Sequence, residues 1–290
     1  MINMTRPFRA LGRWALPFAC LAALAALAGC NGTTQPQASG LVATAAPGSE
    51  GARPRPSSSP EIRKIEELGR TIYVLDNAAA RATDLAFAEG ADLRAPDMRG
   101  WVTDTSSSGV LVRFIRQVGG RFEAAYDIKV DETGRATTFT RPANPRLMPE
   151  QATQFAARQL ALTQANTLLC PGPYVTVTFR DPGASNWRVY LLAATTDPNV
   201  RLIGGHRRVL VSADGKRILS SENLSLTCFT PRLEPHAGYR PVFGMVTELL
   251  SPTPVETHVF ANLLYREPII VLTRDRRPWG VENGRILELK

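Results

Sequence analysis

Histidine, cysteine and lysine are scarce in this 290-residue chain, and long apolar runs are scarcer still. The three histidines, His206, His236 and His258, form neither a His-x-His nor a His-Glu-x-x-His spacing, so the sequence offers no transition-metal site. Gly-x-Ser-x-Gly, Ser-x-x-Lys, P-loop and dinucleotide-binding patterns are also missing, which removes the commonest hydrolase, nucleotide and redox-cofactor readings and implies no cofactor. Ser106-Ser107-Ser108-Gly109 falls between two strand patterns and reads as a hairpin turn, not as a nucleophile. The single long apolar run, 14–29, has sixteen residues, short of the roughly 20 that span a bilayer. With 44% hydrophobic and 7% aromatic residues the chain has enough apolar material for an ordinary folded body.

What is present begins with an address. Arg6, Arg9 and Arg13 precede the apolar run, which is the order of a secretory signal. The run ends in Leu27-Ala28-Gly29-Cys30, which resembles the lipobox of bacterial lipoproteins. That resemblance implies cleavage before Cys30, a diacylglycerol on its thiol and acylation of the new amine. Several acyl chains together give a lasting membrane anchor where one gives a marginal one. Asn31 stands where lipoproteins retained in the inner membrane carry Asp, so the resemblance implies an outer-membrane protein facing the periplasm. Residues 1–29 are thus expected to be a signal peptide, and 30–60 the lipidated cysteine and its tether. From 31 to 60 there are five Pro, four Gly, five Ser and five Ala, no aromatic, and only Leu41 and Val42 as larger aliphatics. Such a segment buries too little to order its backbone, and as a coil it spans about 30 Å.

Folding signals start at Ser59-Pro60-Glu61, a cap, a first-turn proline and a first-turn acid. Ile62, Ile65, Leu68, Ile72, Leu75, Ala79, Ala82 and Leu85 then set a helical stripe that Gly90 closes. From 110 to 140 the period becomes two, with Phe122, Ala124, Tyr126, Ile128 and Val130 alternating with polar neighbours between turns at Val118-Gly119-Gly120 and Asp131-Glu132-Thr133-Gly134. The order repeats: a helix from Pro149-Glu150 with a stripe of Ala152, Phe155, Ala156, Leu160 and Thr163, then strands near 174–180, 187–194, 207–212 and 217–226. The helix starts lie 89 residues apart and the turn glycines Gly134 and Gly215 lie 81 apart. The expected fold is therefore α+β: a helix-plus-antiparallel-sheet module at 61–145, a second at 146–230, and a β-rich segment at 231–290. Over about 61–228 this order resembles PepSY-like or cystatin-like modules of bacterial envelope proteins, which implies a binding or inhibitory role. The tail is read as strands at 242–249, 255–263, 269–273 and 279–289, closing the second sheet or forming a subdomain of their own.

Four candidate sites remain. Cys170 and Cys228 are the thiols left after Cys20 departs with the signal and Cys30 carries lipid, so in an oxidising compartment they are expected to pair. A redox or metal-binding pair is the alternative. Glu256 and His258, two apart on an expected strand, would share one face and could exchange a proton, the basis of an alternative hydrolase reading. An exposed polar face is the plainer account of both. His206, after Gly204-Gly205 and before Arg207-Arg208, reads as a solvated turn. Trp101, Tyr126, Trp187, Tyr190 and Trp279 fall on alternating strands and read as sheet core, with a binding surface as the alternative.

The net charge of +8 invites a nucleic-acid reading. Three signal arginines account for three charges and the tether for one more, which leaves +4 on the 230 residues after Pro60. No dense basic stripe survives, so nucleic acid is not an expected partner. The expectation is a non-catalytic binding, assembly or inhibitory module on a lipid anchor, whose partner is an envelope protein or polymer; a plain structural spacer is the other non-enzymatic reading.

Overall fold

A computed structural model of the chain describes residues 55–56, 59–164, 167–232 and 244–289. The fold is α+β. A short strand, β1 (Arg55–Pro56), precedes a long helix, α1 (Pro60–Ala88), and a meander of β2 (Met98–Ser106), β3 (Gly109–Val118), β4 (Arg121–Val130) and β5 (Ala136–Thr140). A second helix, α2 (Pro149–Leu162), leads into a second meander of β6 (Tyr174–Arg180), β7 (Trp187–Ala193), β8 (Arg207–Val211) and β9 (Ile218–Asn223). The last part is β10 (Gly244–Glu248), α3 (Glu256–Tyr265), β11 (Ile269–Thr273), β12 (Pro278–Glu282) and β13 (Arg285–Glu288). Both four-stranded sheets run in chain order, β2-β3-β4-β5 and β6-β7-β8-β9. The C-terminal strands do not join the second sheet; they build a third, ordered β1-β13-β12-β11-β10, in which β10 and β11 are parallel across α3.

Helix α1 begins where the sequence signals it: Ser59 accepts a hydrogen bond from the Ile62 amide at 3.1 Å. Twenty-nine residues at 1.5 Å each make it about 43 Å long, enough to serve two cores. Its C-terminal half, Ile72 to Ala86, packs on Trp101, Val112, Phe114 and Ile128 of the first sheet, and the same cluster contains Val175, Val177, Tyr190 and Leu192 of the second. Its N-terminal half sends Ile62 into the core of the third sheet with Val246, Val259, Val271, Trp279 and Ile286. Gly69 marks the crossing with α3: a Cβ there would lie 2.5 Å from the Val259 Cβ and 2.7 Å from the Glu256 carbonyl oxygen. Buried Glu66 fastens α1 to β13, accepting from the Ile286 amide at 2.8 Å and from Arg285 at 3.0 Å.

Helix α2 lies on the opposite face. Its Ala157 and Ala161 meet Trp187, Val189, Leu191 and Val209, and Phe155 meets Val102 and Ile115 of the first sheet. The two sheets are thus one split layer between α1 and α2. The buried face of α2 is rotated from the expected stripe: Ala152 is exposed, while Gln151, Gln154 and Arg158 are interior. The reason lies at the junction of β2 and β6, which belong to separate sheets. Gln154 Nε2 donates to the Thr103 and Thr178 carbonyls at 3.0 and 2.8 Å. Arg158 donates to the Thr176 hydroxyl at 2.7 Å and to the Arg99 carbonyl at 3.1 Å. Two side chains therefore stand where a backbone ladder would otherwise run.

The expected disulfide is formed. Cys170 and Cys228 are bonded, with Cα atoms 5.0 Å apart, closing a loop of 58 residues around the second meander. Chain-entropy arithmetic gives such a crosslink about 4 kcal/mol. Reduction should lower the denaturation midpoint accordingly, while the Cys170→Ser, Cys228→Ser double variant should be insensitive to reductant; a wild-type midpoint unmoved by reduction would contradict the bridge's role.

Candidate functional site

Residues 255–263 hold the main correction. The expected strand is a helix, α3, with Glu256 as its first residue. At about 100° per residue, positions two apart on a helix point to different sides, so Glu256 and His258 do not share a face. Neither is exposed; each keeps 2% of its surface.

Glu256 faces the second sheet. Its Oε1 accepts from the Tyr190 hydroxyl at 2.8 Å and from Arg208 at 2.5 Å, and Arg208 also reaches Glu222 at 2.7 Å. Burial alone would pull the Arg208 guanidinium down, but Glu256 and Glu222 outweigh it and raise it above the ordinary range. Burial, then the Glu256 charge, push the Tyr190 phenol well above its usual value. Arg188 pairs with Asp181 next to this cluster. A groove of about 300 Å³ lies over these groups, with Glu61, Lys64 and Leu68 of α1 and Ser251 and Thr253 on its other walls. Its buried charges are already answered by one another, so the cluster fastens α3 to the second sheet.

His258 looks the other way. Its Nδ1 accepts from the Val255 amide at 3.0 Å and so caps the helix, while its Nε2 stands 3.9 Å from Glu248, too far for a hydrogen bond. Burial pulls the ring down to about 4, against a smaller opposing pull from Glu256. The imidazole is therefore neutral near pH 7. Burial raises the Glu248 carboxyl, while its Oε1 accepts from the Leu250 amide at 2.7 Å.

The remaining expectations divide. His206 is not a solvated turn: it is 1% exposed, accepts from the Ala193 amide at 3.1 Å and meets the edge of Phe260. His236 lies outside the described residues. Trp101, Trp187, Tyr190 and Trp279 are core, and Tyr126 is half-buried, stacked on Phe139. Ser106 to Gly109 form the turn between β2 and β3, as expected. Among the described residues no group of His, Cys, Asp and Glu is placed to hold a metal ion, and no helix is long and apolar enough to cross a membrane.

A second concavity, which sequence reasoning missed, lies where α1 meets the ends of two hairpins. A cleft of about 330 Å³ has a floor of Tyr73, Val74, Ala78, Val110 and Val130 and a rim from the β2–β3 and β4–β5 turns. The second turn is rigid: Asp131 Oδ1 accepts from the Thr133 amide and hydroxyl and from the Arg135 amide at 2.6–3.0 Å. These bonds, the Thr133 hydroxyl first, hold the Asp131 carboxyl below its ordinary value. The Tyr73 hydroxyl, Asn77 amide, Ser107 hydroxyl and Glu132 carboxylate, all lining the cleft, make no hydrogen bond among the described residues. An apolar floor with unspent polar groups at its rim is the usual composition of a binding site. Its signal in the sequence was faint, a tyrosine and a half-exposed valine on the outer side of the α1 stripe.

No protein-family model matches the chain, and neither a curated protein nor a solved structure does.

The ring of His258 provides a pH test. Its value falls from 6.5 to about 4 on folding, so its contribution to stability is complete above pH 6.5 and is lost as pH falls towards 4. The loss amounts to about 3 kcal/mol. Protonation of Glu248 acts in the opposite sense. His258→Gln, which keeps an acceptor at the capping position, should remove the His258 share of the slope. Identical stability–pH curves for the two proteins would contradict the assignment.

Proposed function

We propose that this chain is a lipid-anchored protein of the bacterial outer membrane, facing the periplasm, whose folded body is a non-catalytic binding, assembly or inhibitory module. The anchor rests on Leu27-Ala28-Gly29-Cys30 after a basic and apolar leader, with Asn31 next, and the reach of the body on the Pro-, Gly- and Ser-rich tether that follows. The observation that carries the binding role is the cleft between α1 and the two hairpin turns, with four polar groups left free for a partner. That partner is an envelope protein or polymer. The acid–base pair that motivated a hydrolase reading serves the fold instead: Glu256 is spent on Arg208 and Tyr190, and His258 on the cap of α3.

The test has two arms in intact cells. A photo-crosslinking residue at Val74 or Ser107 should trap one discrete adduct, and one at exposed Leu219 on β9 should not; equal labelling at all three positions would overturn the cleft as the binding surface. Cys30→Ser should move the protein from the membrane to the soluble periplasmic fraction, whereas retention in washed membranes would overturn the anchor.

A further inference from the structure

The third sheet has one face in the core and one outside it. Val246, Val271, Val281 and Ile286 point into the core, so alternation turns Met245, Ile270, Leu272 and Leu287 to the other side. Pairing sets Met245 opposite Ile270, Ile270 opposite Gly280 and Gly280 opposite Leu287, a row across four strands without a charged or hydroxyl side chain. Leu287 and Leu289 close the gap that Gly280 leaves, 3.5–3.7 Å from where its Cβ would stand. At β10, the open edge among the described residues, the apolar surface reaches solvent: Met245 is 67% exposed, and Leu249 and Leu250 beyond it are 50% and 43% exposed.

The β11–β12 turn adjoins this corner, tied to it by the Arg274 amide donating to the Ser251 carbonyl at 3.3 Å. It exposes Arg274, Arg276 and Arg277. Arg277 pairs with Asp275 at 2.8 Å, whereas Arg274 and Arg276 have no carboxylate partner among the described residues. The other edge of the same sheet is β1, where the chain enters 24 residues after Cys30. Apolar side chains beside unanswered guanidinium groups match the acyl boundary and the headgroup phosphates of a membrane surface. We propose that this face docks the folded body on the anionic phospholipid surface that holds its anchor, with Met245, Leu249 and Leu250 entering the interface and Arg274 and Arg276 meeting phosphates; the proposal rests on the lipid-anchored reading. The tether supplies the effective concentration, so a weak surface suffices.

The test uses the full-length lipidated protein in vesicles of phosphatidylethanolamine and phosphatidylglycerol, with an environment-sensitive fluorophore on Leu249→Cys or, as the control, on Leu219→Cys of β9. Lipids brominated in their acyl chains should quench the label at 249 and not the one at 219. Arg274→Gln with Arg276→Gln should lower the docked-to-free ratio about thirtyfold. Labelling of the wild type reports the anchor separately. Cys170 and Cys228 are bonded to each other, so a thiol that reacts at position 30 would overturn the anchor, while quenching at 249 still decides the docking face. Equal quenching at 249 and 219, or quenching at 249 undiminished by the arginine changes, would overturn that face. So would contact between two 249 labels without lipid quenching, which assigns the face to a second copy of the chain.

Discussion

The architecture depends on how two sheet edges are joined without a ladder. An unpaired edge leaves carbonyls and amides that must find partners when buried. Here α2 supplies them: Gln154 spans the Thr103 and Thr178 carbonyls, and Arg158 joins the Arg99 carbonyl to the Thr176 hydroxyl. That duty explains why a helix with an apolar core on both sides carries an amide and a guanidinium inward. It also sets the rotation of α2, which brings Phe155 onto the first sheet and Ala157 onto the second. With the edges joined, α1 can cover both sheets from the other side.

The same economy recurs in the C-terminal part. Glu66 answers the Ile286 amide and Arg285, and Glu256 answers Tyr190 and Arg208. Each buried carboxylate connects elements far apart in sequence. Removing one partner of such a set costs more than the set contributes, because it strands a charge in the interior. These residues have the chemistry of an active site but the contacts of fasteners. The cleft by the hairpin turns is the reverse case, since four of its polar groups, on Tyr73, Asn77, Ser107 and Glu132, make no hydrogen bond among the described residues.

Much of the fold was legible from periodicity. The cap at Ser59, the stripe of α1, the turns at Gly134 and Gly215 and the meander strands from β3 onward follow from spacing alone, and the disulfide from counting the cysteines that the expected signal and lipid anchor would leave. The misreadings have physical causes. In α3 seven of ten residues are buried, so no polar face marks a helical period, and Val255, Thr257 and Val259 mimic an alternating strand. The error carried the Glu256–His258 pair with it, because a shared face requires a period of two. In α2 the spacing places the stripe on Ala152 and Ala156, because a buried glutamine and arginine look like surface until the sheet edge they serve is known. The cleft needed long-range geometry, as its walls come from α1 and two turns that lie at least 27 residues further along the chain.

Cooperativity between the sheets tests this account most directly. Native-state hydrogen exchange of the β2 and β6 amides should give one common opening free energy in the wild-type protein, and two separate ones in a Gln154→Ala, Arg158→Met double variant. Independent exchange of the two strands in the wild type, or an unaltered common value in the variant, would contradict the claim that these two side chains make the split layer one body.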